Sequence, residues 1–139
     1  MERSAELEDL TRELYAAVSS GDAGFFERHL SQSESCVVIG TAPDEWWEDY
    51  ASALGPIRKQ MASVGANLEL VAGNVRAFHT GGVGWVADRP TIKLGDKAVL
   101  CRHTSVFERE KGGWRIVQHH FSIGVANEVV FGNEAGKLD

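Results

Sequence analysis

A chain of 139 residues, 43% hydrophobic and 24% charged, has the composition of one soluble globular domain with a single buried core. Its net charge of −6 offers no basic footprint for nucleic acid or an anionic membrane surface, and no apolar run reaches the length of a membrane span. The opening "MERSAELEDL" is acidic and lacks the basic and apolar regions of a signal peptide, which points to the cytoplasm.

Leu7, Leu10, Leu14 and Val18 recur at steps of three and four, the mark of an amphipathic helix, with Ser4 placed to cap its start and Gly21 to stop it. "GDAGFFERHL" restarts at once, and Asp22 can cap a short second helix that carries Phe25, Phe26 and Leu30 inward. "CVVIG" is a short β-branched strand. Then comes "TAPDEWWEDYASALGPIRKQMASVG", with Asp44 as a cap, aromatic residues at Trp46, Trp47 and Tyr50, and a helix carrying Ile57, Met61 and Val64. Its Gly55-Pro56 pair either divides two helices or starts the main one.

From Ala66 the pattern changes to strands: "NLELVAGNVRAFH", "GVGWVADRPTI", "KAVLCRHTSVFER" and "GWRIVQHHFSIGVA". "LGDK" and "REKGG" carry the glycines of tight hairpin turns. Helices followed by a meander make an α+β domain, in which the three N-terminal helices cover the concave side of a strongly curved antiparallel sheet. Residues 127–139 hold one apolar knot, Val129 to Phe131, and are either frayed or docked on a partner. Cys36 and Cys101 lie far apart in apolar runs and read as small buried hydrophobes.

The adjacent His119 and His120 must point to opposite sides of the last strand. If "REKGG" supplies a three-residue loop, Ser105 stands opposite Val117 and His103 opposite His119. One face then reads His103, Ser105, Val117, His119, Phe121, and the other Arg102, Thr104, Val106, Ile116, Gln118, His120, Ser122. A two-residue loop would instead bring His103 to His120 and Ser122, and the sequence leaves both open. Both faces mix apolar and hydrogen-bonding groups, so the strand is buried on both sides.

"TSVFEREKGGWRIVQHHFS" resembles the C-terminal signature of the nuclear transport factor 2-like superfamily, its SnoaL-like members in particular; similar features occur in the association domain of calcium/calmodulin-dependent kinases. "YAAVSSGDAGFF" resembles the Gly-Asp break between the first two helices of these families. The resemblance implies one domain over 1–139: a cone of three helices over a bent sheet, a ligand cavity inside and a homodimer contact outside. It identifies a fold more than an activity. Ketosteroid isomerases share this fold and use an Asp base with a Tyr and a protonated Asp as oxyanion hole. By motif the tyrosine falls at Leu14, the base near Ile39, where Gly40 cannot replace it, and the oxyanion Asp around His103 or Thr104, so the three groups are absent. Tyr15, one residue on, is turned about 100° away on the helix.

His103 and His119 remain as the candidate catalytic pair, because imidazole titrates near working pH, although both can equally be hydrogen-bonded pocket or core histidines. The expected ligand-binding set is Trp47, Tyr50, Trp85, His103, Ser105, Val117, His119 and Phe121, with Trp46, Trp47 and Tyr50 as a lid. The expected dimer face is Thr104, Val106, Ile116, Gln118, His120 and Ser122. No metal or other cofactor is expected: Asp88 is the nearest carboxylate, and strand parity points it away. His29 and His79 read as surface positions, Trp114 as structural, and Glu8/Arg12 and Glu45/Asp49 as solvated helix charges. The leading reading is a homodimeric protein that holds a small, largely apolar ligand and engages neither nucleic acid nor membrane. The rivals are an isomerase, cyclase, dehydratase or hydrolase working through the two histidines, and an association module with a vestigial cavity.

Overall fold

The computed structural model describes residues 1–64 and 67–132. In chain order it contains β1 (Glu2–Arg3), α1 (Ala5–Ser20), α2 (Gly24–His29), β2 (Val37–Ile39), β3 (Trp46–Trp47), α3 (Tyr50–Val64), β4 (Leu68–Val71), β5 (Arg76–Thr80), β6 (Val83–Asp88), β7 (Thr91–Leu94), β8 (Lys97–Glu110), β9 (Gly113–Ile123) and α4 (Asn127–Phe131). Ser4 accepts the Leu7 N–H at 3.1 Å to start α1, and Gly21, at φ 73°, ends it in the left-handed region. Asp22 accepts the Gly24 N–H at 3.0 Å at the head of α2. α3 runs unbroken through Gly55-Pro56. Its start is held by Asp49, which accepts the Ser52 N–H at 2.7 Å, and not by the expected Asp44. Trp46 and Trp47 precede that helix as a two-residue strand.

The strands form a curved, unclosed sheet whose main path is β1-β5-β6-β8-β9-β2-β3, with β7 joining β8 and β4 joining β7. Its ladders are antiparallel except β2, which pairs parallel to β9. Two of the expected strands are each broken in two. Residues 72–75 separate β4 from β5, and Arg89-Pro90 separates β6 from β7. Pro90 has no N–H for the ladder, and its carbonyl accepts the Cys101 N–H at 2.8 Å where β8 passes from β6 to β7. The Asp88 carboxylate ties the breaks together by accepting the Gly73 N–H at 3.1 Å. α1 packs over β4, β5 and β6, and the core between helices and sheet includes Leu7, Leu14, Phe25, Phe26, Val38, Ile57, Val86 and Phe107.

The β8–β9 hairpin adopts neither expected register. Glu110 pairs with Gly113, which leaves a two-residue turn, but the ladder slips between Val106 and Phe107: Phe107 pairs with Ile116, and Val106 with Gln118. Val117 is the extra residue, a β-bulge. The turn alone would have reversed the expected facing, and the bulge reverses it back. Ser105 therefore stands opposite His119, and His103 opposite Phe121. On the turn side of the bulge Ile116 points inward and is fully buried in the core, which corrects its placement on the outer face.

His29 and His79 are half-buried rather than surface residues; the His29 ring lies 4.3 Å from that of Phe25, and His79 packs against buried Trp114. Glu8 pairs with Arg3 at 2.7 Å and Arg12 with Asp9 at 3.2 Å. Within 127–139, Asn127–Phe131 forms α4 with Val129, Val130 and Phe131 exposed, while 133–139 lie outside the described residues. No helix among the described residues is long and apolar enough to cross a membrane.

Candidate functional site

Leu7, Thr11 and Tyr15 stand four residues apart on α1 and so share its buried stripe. This turns Tyr15 into the core, where it is 2% exposed, and corrects the expectation that it faces away. On β6, alternation puts Gly84, Val86 and Asp88 inside, so Asp88 also points inward, contrary to the parity expected for it. β8 contributes His103 and Ser105 to the same side, and β9 contributes His119 and Phe121.

These side chains form one line of hydrogen-bonded groups. The Tyr15 hydroxyl lies 3.0 Å from Asp88 Oδ2 and 2.8 Å from His103 Nδ1. His103 Nε2 lies 2.8 Å from Ser105 Oγ, which in turn lies 3.0 Å from His119 Nδ1. An ionised carboxylate only accepts, and Asp88 Oδ2 already accepts from Gly73, so Tyr15 donates to Asp88. The remaining assignments follow in order. His103 Nδ1–H donates to Tyr15, Ser105 donates to His103 Nε2, and His119 Nδ1–H donates to Ser105. His119 Nε2 is left as a lone-pair acceptor with no partner among the described residues.

Burial keeps both imidazoles neutral. It holds His119 down at about 4, assisted by the neighbouring charge of His120. Burial, then repulsion from His119 and His120, holds His103 well below the ordinary histidine range. Burial, then the charge of Asp88, raises the Tyr15 phenol above its ordinary range. The line is packed in aromatic surface: the Phe121 ring stacks 4.5 Å from His103, and Phe26 meets His119 edge-on at 5.8 Å.

His119 also lines a cavity of about 320 Å³ between the sheet and α1–α3. Phe26, Val38, Trp47, Ile57, Leu70, Ile92 and Phe121 make its wall largely apolar. Exposed Thr41 and Gln60 and half-buried Glu45 set its polar rim, where Gln60 donates to Glu45 and Glu45 accepts the Ala42 N–H at 2.7 Å.

Of the expected ligand-binding residues, Trp47, His119 and Phe121 line this cavity. His103 and Ser105 are almost wholly buried behind it, and both His103 nitrogens are engaged by protein groups. Trp85 points to the outer face, against Phe78, because Gly84 and Val86 take the inner positions of β6. Val117 is the bulge residue. Tyr50 lies off the cavity and donates its hydroxyl to the Glu27 carbonyl at 3.1 Å. The outer face does hold Thr104, Val106, Gln118, His120 and Ser122, each half-buried or exposed. Tyr15 and Asp88 are the polar members that the sequence reading missed. Thr11 interrupts the apolar pattern on the stripe ending at Tyr15, and Trp85 drew attention to the wrong face of β6. The signals were the four-residue step from Leu7 and the small-residue alternation of "GVGWVAD".

Structural comparison gives the same architecture. A nuclear transport factor 2-like protein of unknown function from Pseudomonas putida superposes with a TM-score of 0.80 at 14% identity, over 90% of this chain and 89% of its own. A provisionally assigned dehydratase of that family from Streptomyces avermitilis gives 0.71 at 21% identity, over 87% and 95%. A provisionally assigned ketosteroid isomerase from Parabacteroides distasonis gives 0.71 at 15% identity, over 85% of each chain. No curated protein matches the sequence. At these identities the likeness is one of fold alone. The SnoaL-like domain model matches residues 7–126, and with a curved sheet under helices and a cavity between them the chain belongs to the SnoaL-like family.

Proposed function

We propose that the protein binds a small, largely apolar molecule in the cavity and anchors one polar group of it on His119. The observation that carries this reading is the free Nε2 of a neutral imidazole on an otherwise apolar wall. The volume of about 320 Å³ lies in the range of small-molecule sites and argues against a filled, vestigial cone. As an acceptor, Nε2 suits a hydroxyl, a phenol or a protonated carboxylic acid. Calorimetry with a panel of phenols and short-chain alcohols tests it. Binding should be lost in Ile92→Trp, which fills the cavity, and weakened in His119→Ala; unaltered binding in both variants would overturn it.

We also propose that the outer sheet face pairs two copies. Phe78 and Trp85, with ring centroids 6.2 Å apart, lie beside Val106 on this face and support a two-fold contact. Sedimentation at micromolar concentration is the check, and a monomer would overturn it. Two free, buried cysteines support a reducing compartment such as the cytoplasm.

A further inference from the structure

Four of the five polar residues in the buried line stay behind the cavity wall. A histidine that only anchors a ligand needs one partner at its second nitrogen, and Ser105 supplies it. The line nevertheless continues through His103 and Tyr15 to a carboxylate on another strand. Each link is between 2.8 and 3.0 Å, and each intermediate group both donates and accepts. Asp88 Oδ1 is buried without a hydrogen-bond partner, so the carboxylate is not saturated by its surroundings.

We propose that Asp88, Tyr15, His103, Ser105 and His119 form a proton relay, which gives the cavity acid–base activity on a small apolar substrate carrying an acidic C–H or O–H bond. This rests on the reading of the cavity as a small-molecule site. His119 Nε2 takes the substrate proton while its Nδ1–H passes to Ser105 Oγ. The Ser105 proton moves to His103 Nε2, the His103 Nδ1 proton to the Tyr15 oxygen, and the Tyr15 proton to Asp88 Oδ2. One proton has then left the substrate and one has arrived on Asp88. The electron pair of the broken bond stays on the substrate, and the four intermediate groups are neutral before and after. His103 and His119 have exchanged tautomers, and His119 now presents Nε2–H to the cavity as an acid. Return of the proton to a different substrate atom completes an isomerisation; loss of a leaving group from the substrate anion completes an elimination.

The surroundings favour this shift over simple protonation of His119. An imidazolium in the line would be formed against burial and against the charge of His120, whereas the relay never forms one. Phe26 and Phe121 pack against the His119 ring, at 5.8 and 5.2 Å between centroids, and Glu45 is the carboxylate at the cavity rim. At the other end Asp88 borders a surface groove with Arg76 and Arg89, which gives its proton a route to solvent.

The test uses 5-nitrobenzisoxazole, a flat apolar molecule whose C3 proton, once taken by a base, leaves with cleavage of the ring N–O bond to release a coloured cyanonitrophenolate. Turnover should exceed the buffer rate and vanish in His119→Ala. In Tyr15→Phe and in Asp88→Asn, kcat should fall about tenfold or more with KM little changed, since a positioned acid–base group contributes roughly 10²–10⁴-fold. Asp88→Asn keeps an acceptor for Gly73 and Tyr15 but cannot take a proton, so it serves if Tyr15→Phe fails to fold. ¹⁵N NMR of the wild type should show Nδ1–H tautomers at His103 and His119. Binding of 5-nitroindole, which has the same shape and no N–O bond, is measured alongside by calorimetry. Binding without turnover, an unchanged kcat in Asp88→Asn, or an Nε2–H tautomer at His119 would each overturn the relay and leave the binding reading standing. Failure to bind 5-nitroindole would overturn both.

Discussion

Ser105 on β8 and His119 on β9 stand directly opposite each other because the ladder between them slips by one residue at Val117. The bulge decides which histidine of the adjacent pair looks into the cavity, since a one-residue change of register exchanges the two faces of a strand. Deleting Val117 while keeping the Lys111-Gly112 turn removes the extra residue and leaves a regular ladder in which Val106 still faces Gln118 and Ser105 still faces His119. His119 should therefore stay on the inner face, and phenol binding should be retained in calorimetry. A folded deletion variant that no longer binds would show that this pairing does not set the facing.

The histidine pair provides its own control. His119→Ala leaves the buried Ser105 hydroxyl without its donor, a cost of about 1–3 kcal/mol, and removes the cavity acceptor. His120 is half-buried on the outer face opposite Thr104, so His120→Ala should leave ligand affinity unchanged and weaken self-association instead. Calorimetry and sedimentation on the two variants separate these effects.

Acid should destabilise the fold before the carboxylates titrate. His119 falls from 6.5 in the unfolded chain to about 4 in the fold, and His103 is also lowered. Both native residues therefore stay unprotonated while the unfolded chain takes up protons. Their contribution is complete above pH 6.5 and is lost as pH falls toward 4, by an amount on the order of 3 kcal/mol for His119. Glu8 and Asp49, lowered mainly by their hydrogen bonds to Arg3 and Ser52, lose theirs only below about pH 4.5. Urea titrations between pH 6.5 and 4.5 should show this slope, and it should flatten in a His103→Gln/His119→Gln variant.

Gly84 lets α1 lie against β6. A Cβ there would collide with Leu7 Cδ1 and come within 3.0 Å of the Phe78 carbonyl, and Leu7 is fully buried. Gly84→Ala should cost about 1–3 kcal/mol by overpacking, read as a lower urea midpoint with an unchanged slope. The glycine at position 55 has open space around it, so Gly55→Ala should not destabilise.

The helices, hairpins and cover of the sheet were legible because Leu7–Val18, Phe25–Leu30 and the glycines of "LGDK" and "REKGG" act locally. The parallel seat of β2 was not, since "CVVIG" has the same apolar pattern beside either neighbour. Of the site, Trp47, His119 and Phe121 followed from aromatic clustering and parity, but parity came out right only because a turn and a bulge cancelled. Tyr15 and Asp88 required knowing that α1 crosses β6 at the height of His103, a tertiary fact that leaves no local trace.

Both ends of the sheet path are two-residue strands, β1 on β5 and β3 on β2. The free edge of β4, off that path, is turned toward α1, where Ser19 Oγ accepts the Leu70 N–H at 2.9 Å. Each border thus offers an incoming chain only a short run of unpaired backbone, the feature by which natural sheets resist edge-to-edge aggregation. A fold that keeps an open, greasy cavity is protected from polymerising through its rims by four residues of strand and one serine hydroxyl.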